Sequence, residues 1–460
     1  MRRTGLRRLI WIAAAWALIL CWAGRHAMLD DALIHLRYAT VLYHQHRISF
    51  DGSHPSYGTS SLLYVAVLAL LRSLTHSPLL PKAVSVAAYA GLLALVYRIA
   101  RIDRLALALF FVLVSPFAVR WLTDGMETGL ACLLAVAFAM LLFRKAPPAA
   151  LASVALLLGL LRVDLTLLAA FGVVLLIAQK EWLRAGALCL GSGLSLLFIR
   201  VTMGHLLPDT AVAKEGLGFF DVLATTAHEI AATGSCGLGL LLLWVVSAVF
   251  AWRIDKQSAL IANLPFPVLV FLAAVKGQQM HGIRYVIWAL LFSIVWNLLF
   301  SASVSWPRPA FLTALACILA VCWAFELPIV LRIDRGRAET LNAMQHAHLD
   351  RLHGEGMAAD VGYIGYFSDA PICDMNGLIN GRAAALMTYD RRSQACVAAK
   401  PAFLFLSAEQ IEYLDSNYNV NSQADWFNCG SVDFTNVGST DRHWLLVRRT
   451  EYPLGCPTHL

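Results

Sequence analysis

Residues 29–62 read LDDALIHLRYATVLYHQHRISFDGSHPSYGTSSL, and this stretch follows the first apolar segment of the chain directly. Leu29, Leu33, Leu36, Thr40 and Tyr43 recur at helical spacing, so residues 30–43 read as an amphipathic helix lying along a bilayer surface. Asp30 and Arg37 stand seven apart and share one face; Asp31 and His35 stand four apart and share another. Between Phe50 and Thr59, Gly52, Pro55 and Gly58 make a loop that carries His54 and Tyr57. Paired carboxylates at the mouth of an apolar segment are costly near lipid, which makes Asp30 and Asp31 functional candidates. The competing reading is a solvated interfacial helix whose acidic first turn suits its N-terminus.

The rest of the chain supplies the membrane. Of 460 residues, 59% are hydrophobic and only 14% charged, a profile outside that of soluble globular domains. Apolar runs at 9–26, 82–99, 105–119, 127–143, 148–161, 165–179, 185–201, 236–252, 258–275, 285–301 and 310–328 are read as eleven spans, several shorter than the ~20 residues of a full crossing. Residues 1–8 carry four arginines ahead of the first run, without a convincing cleavage site, which reads as an uncleaved span with its N-terminus inside. The apolar segment Ser60–Leu74 is placed outside the membrane as a juxtamembrane helix. Arg98, Arg101 and Arg104, Arg144 and Lys145, Lys180 and Arg184, Arg253 and Lys256, and Arg308 then all fall in interior loops. The formal charge of +7 is accounted for by such loops, and no nucleic-acid motif or Walker-type loop is present.

Odd parity gathers the polar loops on one outer side. Domain organisation is read as a membrane domain over 1–328, with an external loop at 28–81, followed by a soluble domain over 329–460. That last region is charged and Gly-rich with short β-like runs at Phe403–Leu406 and Trp444–Val447, the composition of a small α/β domain. It also holds Cys373, Cys396, Cys429 and Cys456, for which three pairings exist, and an oxidising compartment permits at least one bond. Metal ligation is disfavoured because no C-x-x-C or H-x-x-x-H spacing accompanies them.

Residues 30–71 resemble the first external loop of bacterial GT-C glycosyltransferases that use polyprenyl-phosphate sugars, and in particular the arabinofuranosyltransferases of cell-wall and pilin modification. The family pattern DDAF-x3-RYA…G-x-x-F…G-Y-T is met with Leu33 for the Phe and with Ser56-Tyr57-Gly58-Thr59 around the Gly-Tyr-Thr. Further blocks follow in order. Residues 121–128, WLTDGMET, resemble the GLET-type second loop through Gly125 and Glu127; Arg162-Val163-Asp164 stands where the family has Arg-Pro-Glu. Residues 204–214, GHLLPDTAVAK, resemble LLPNT-x3-K, with Asp209 for the Asn and Lys214 as the lysine. His281-Gly282-Ile283-Arg284-Tyr285 resembles a Gly-Arg-Tyr span start, and residues 359–368 with 372–378 resemble a D-x-G-x-x-G-Y-x-S…D-x-x-G-L signature.

Each block has a plainer reading beside it. Glu127 suits a helix N-terminus, Arg162 and Asp164 suit a salt bridge at the membrane edge, and Lys214 suits a snorkelling side chain.

The resemblance implies an α-helical polytopic GT-C-like protein of the bacterial inner membrane, with its site and C-terminal α/β domain on the periplasmic side. It implies transfer of a sugar, arabinofuranosyl by analogy, from a polyprenyl-phosphate donor to a hydroxyl of a surface glycan, lipid or protein. Inversion follows from direct displacement. A carboxylate must accept the acceptor's proton, which assigns Asp30, with Asp31 orienting the acceptor or raising its neighbour's pKa. The leaving phosphate needs cations, which assigns Arg284 and Lys214. His35, Arg37, His54, Tyr57, Glu127, Arg162, Asp209 and His281 are expected to line the substrates. No cofactor is required, and a divalent metal at the carboxylates is compatible with the sequence. A polyprenyl-linked glycan transporter and a non-catalytic glycan-assembly scaffold are the rival classes; the transporter should show duplicated halves or charges deep within spans, and neither is evident.

Overall fold

The computed structural model describes residues 3–100, 105–214, 216–278, 283–300, 309–435 and 440–460. The chain forms two compact units, Met1–Arg25 with Lys82–Leu206 and Glu215–Leu331, and His26–Pro81 with Leu207–Lys214 and Arg332–Leu460.

The first unit is helical. Leu80–Ile99, Trp182–Met203, Gly234–Ile254 and Lys256–Lys276 are each long and apolar enough to cross a membrane, among the described residues. Trp182–Met203 shows how the sequence does this. Leu183, Leu190, Leu194, Leu197 and Val201 are exposed, an apolar stripe at helical spacing. The opposite stripe, Ala185, Leu188, Gly191, Ser195 and Ile199, is buried. Small residues there permit close approach: a Cβ on Gly191 would stand 2.1 Å from the Ala152 carbonyl oxygen, on the Pro148–Leu161 helix.

Other expected spans are shorter or broken, so eleven full crossings are not evident among the described residues. The run 105–119 is two helices, Leu105–Leu113 and Pro116–Leu122, because Pro116 lacks the N–H that would continue the first and Ser115 caps the second. Arg162, in extended backbone, divides Pro148–Leu161 from the segment Val163–Ala178. The run 310–328 does not stop where the apolar composition stops; its helix, Pro309–His346, passes through Pro328.

The second unit contains the opening stretch as well as the C-terminal domain. Its amphipathic helix is Asp30–Gln45. The segment placed outside the membrane folds as an 11-residue helix, Leu62–Arg72, capped by Ser61. Eleven residues span about 17 Å, against the ~30 Å of a hydrocarbon core.

Strands β1 (Gly356–Ala358), β2 (Ile372–Asp374), β3 (Phe403–Ser407), β4 (Trp426–Thr435) and β5 (Thr440–Arg448) form one sheet in the order β2-β1-β3-β5-β4. The first three strands run parallel; β5 is antiparallel to both β3 and β4. The two β-like runs of the sequence pair directly, Phe403 opposite Val447 and Leu406 opposite Trp444. Met357, Met375, Leu404, Leu406, Leu414, Trp426 and Leu446 form the core on one face.

Both cystine bonds close within this domain, Cys373 to Cys396 and Cys429 to Cys456, across 23 and 27 residues. Replacing either pair with serine is expected to cost about 3–4 kcal/mol by loss of loop closure, measured as a lowered unfolding midpoint that reductant shifts less than in the wild type, because one bond remains.

Candidate active site

Asp30 opens the Asp30–Gln45 helix without a side-chain cap from Leu29. Its own carboxylate turns instead to the short helix Val361–Phe367 that follows β1. Oδ1 accepts from the Tyr363 N–H at 2.7 Å and Oδ2 from the Gly362 N–H at 2.9 Å. The Tyr363 hydroxyl donates back to the Met28 carbonyl at 2.9 Å. Glycine at 362 is demanded by this approach, since a Cβ there would lie 2.0 Å from the Asp30 carbonyl oxygen.

Burial raises the Asp30 carboxyl well above the ordinary carboxylate range, and the nearby charges of Asp360 and, more weakly, Asp31 add to it, against the two N–H donors. Asp360 is therefore a stronger influence than the adjacent Asp31. It is half-exposed and hydrogen-bonded to the buried His443 Nε2 at 2.7 Å. Asp360 lay within a quoted sequence block, but no local pattern marked His443, which arrives from β5.

Around this helix the expected site residues bond to others of the same unit. His35 Nδ1 meets Thr59 Oγ1 at 2.7 Å and its ring packs edge-on to Tyr64. Arg37 donates to the Phe50 carbonyl at 3.1 Å and pairs with Asp369. His54, exposed, bonds Asp51 Oδ2 at 3.0 Å. Asp209 is fully buried; its Oδ2 accepts from the Tyr57 N–H at 2.9 Å, its own N–H bonds the Tyr57 carbonyl at 2.8 Å, and Arg382 stands 3.9 Å from Oδ1. Asp31 is half-buried in the first helical turn. Lys214 is half-buried just after the Asp209–Ala213 helix and makes no side-chain hydrogen bond or ion pair among the described residues.

A second cluster forms within the helical unit. Arg162 Nη1 donates to Glu127 Oε1 at 3.0 Å, while Nε and Nη2 grip Asp164 at 2.9 and 2.7 Å. Glu127 begins the Thr128–Phe143 helix, yet its side chain serves Arg162 rather than the helix N-terminus. Tyr285 lies between two guanidiniums, Arg162 at 4.8 Å and Arg284 at 5.0 Å from its ring centre. Arg284 is buried and reaches the Tyr285 hydroxyl at 3.4 Å.

No protein-family profile and no curated protein matches the sequence. The fold, however, is similar to that of ArnT. The match is to the crystal structure of ArnT from Cupriavidus metallidurans bound to undecaprenyl phosphate, at 11% identity and a TM-score of 0.54, covering 95% of this chain and 97% of that one. At that identity the likeness to ArnT is one of fold alone. His281 lies outside the described residues. Among the described residues no group of three or more His, Cys, Asp or Glu is arranged to hold a metal ion.

Proposed function

We propose that this chain is a membrane glycosyltransferase of GT-C type. It moves a sugar, arabinofuranosyl by the sequence resemblance, from a polyprenyl phosphate to a hydroxyl of a surface glycan, lipid or protein. The observation that carries the reading is the ArnT-like fold over 95% of the chain, because that neighbour was crystallised with undecaprenyl phosphate. The Asp30 carboxyl adds chemistry to it. A hydroxyl acceptor is a poor nucleophile, and a positioned, desolvated carboxylate takes its proton as attack proceeds. The two backbone N–H groups occupy one lone-pair site on each Asp30 oxygen, which leaves the others for a substrate.

Displacement from the face opposite the phosphate inverts the anomeric centre. The departing phosphate gains charge and needs cationic donors more than a proton. Arg284 and Lys214 are assigned to it, Arg284 first because a planar guanidinium matches phosphate oxygens. The protein would lie in the bacterial inner membrane with its chemistry on the periplasmic side.

Arg284→Ala is expected to weaken binding of a synthetic polyprenyl-phosphate sugar by about 10- to 100-fold and to lower turnover as well, because phosphate is present in both ground and transition states. Arg284→Lys should restore only part. Donor affinity and rate measured separately check this; normal donor affinity in Arg284→Ala removes the assignment. Mass analysis of surface glycans in a deletion strain identifies sugar and acceptor, and unchanged glycans there count against the whole reading.

A further inference from the structure

A cavity of about 510 Å3 opens in the sheet domain where β3 and β4 begin and β5 ends, a size within the ~300–1,000 Å3 of small-molecule sites. Its buried lining is apolar: Met357, Leu404 and Trp426 reach it from the sheet core. Its more exposed lining is basic, with Lys400, Arg448 and Arg449 against one acid, Asp425. The Arg448 guanidinium lies 5.0 Å from the centre of the Trp426 ring, and that of Arg449 lies 4.1 Å from the Phe427 ring. Stacking of this kind fixes the planar group and leaves its N–H edge for an anion. Neither arginine, nor Lys400, makes a side-chain hydrogen bond or an ion pair among the described residues. Arg442, at the other end of β5, shows the alternative, a cross-strand pair with Asp433 at 2.8 Å.

We propose that this cavity binds an acidic saccharide and so holds the acceptor glycan, the second half of which rests on the glycosyltransferase reading. Three features select such a ligand. Cations exceed the acid three to one, which favours an anion, and the guanidiniums match the paired oxygens of a sugar carboxylate or phosphate. Tyr418, Asn419 and Asp425 add an aromatic body and hydrogen-bonding partners for hydroxyls. The walls are also tied down. Trp426 Nε1 donates to the Val420 carbonyl at 3.2 Å, and the Arg449 N–H to the Asp425 carbonyl at 2.9 Å. The two cystines anchor Cys396, just before Lys400, and Cys429, just after Trp426. A site held this way has little left to order on binding. Along β5, His443 bonds Asp360, two residues from the Gly362 that binds Asp30. Arg448 stands farther along the same strand, about 17 Å from His443. A molecule that fills the cavity and also reaches Asp30 is therefore a chain of sugars.

The test uses the full chain in phosphatidylcholine nanodiscs, with affinity read below the melting temperature of each variant. The probes are tetragalacturonate, which carries its charge as carboxylate, phosphopentamannose, which carries it as phosphate, neutral cellotetraose, and a short poly-aspartate. At least one of the two acidic saccharides is expected to bind more tightly than cellotetraose and poly-aspartate, and the tighter of the two identifies the charged group. Joint replacement Arg448→Met with Arg449→Met keeps apolar stems on the rings and should weaken that binding about 10- to 100-fold. Arg448→Lys with Arg449→Lys should recover part, and Arg442→Met, at the far end of β5, should change nothing. Binding of neither acidic saccharide, or unchanged affinity in the double methionine variant, overturns the proposal. Poly-aspartate binding as tightly overturns it in favour of an acidic protein partner. In a transfer assay with an acidic glycan acceptor, the double variant should raise the acceptor KM and leave kcat near wild type; an unchanged KM overturns the acceptor role. Arginine-dependent saccharide binding by a chain that transfers no sugar would retire the enzyme reading and leave this site standing.

Discussion

Asp30→Asn is expected to lower turnover by about two to four orders of magnitude, the usual worth of a general base, with the lipid donor still bound. Asparagine keeps the size and one acceptor but takes no proton. It also offers one oxygen where Asp30 uses two, for Gly362 and Tyr363, so a loss of about 1–3 kcal/mol in stability accompanies it. Thermal melting read beside the rate separates the two roles. A near-normal rate with a lowered melting point would make Asp30 a clasp and nothing more. Asp31→Asn is the control, with the milder loss expected.

The same carboxyl sets a pH dependence. Catalysis needs Asp30 ionised, and burial, then Asp360, then Asp31 raise its pKa. The acid limb of the rate should therefore lie above the ~3.9 of an ordinary aspartate, with activity lost as pH falls through the raised value. Asp360→Asn removes one of those negative charges, so the limb should move to lower pH. A limb that stays in place in this variant would contradict the coupling.

Arg162→Ala carries the largest expected loss of stability. The guanidinium bonds Glu127, 1% exposed, and Asp164 together, and stacks on Tyr285. Its removal strands buried negative charge, at about 3–5 kcal/mol. Arg162→Lys recovers part, because a point charge has no fork to bridge two carboxylates. Chemical or thermal unfolding in detergent measures it. A midpoint unchanged from wild type would show that the cluster is hydrated in solution and not a buried network.

Several of these features were legible in the sequence because they are local. The Asp30–Gln45 helix followed from apolar spacing, the Arg162–Asp164 pair from proximity, and the β3–β5 runs from composition. What was not legible is long-range. Asp30 meets Gly362 from 332 residues away, and Asp360 meets His443 from 83 residues away; no periodicity records either partner. The expected boundary at 328 lies close to the division between the two units after Leu331, although it falls inside a helix. Apolar composition ends there, but helical backbone bonding carries Pro309–His346 onward. His35, Arg37, His54, Tyr57 and Asp209 are expected from the sequence to line the substrates, and their bonds to Thr59, Phe50, Asp369, Asp51 and one another are long-range or loop-local in a way that residue type alone does not reveal.

The central claim is sugar transfer from a polyprenyl phosphate. Its most direct test incubates the purified chain with a synthetic polyprenyl-phosphate arabinofuranose and a hydroxyl acceptor, and determines the product linkage by NMR. The expected result is an Asp30-dependent glycoside of anomeric configuration opposite to the donor's. A product formed equally well by Asp30→Asn, one that retains the donor configuration, or no transfer from any polyprenyl-phosphate sugar offered would contradict it.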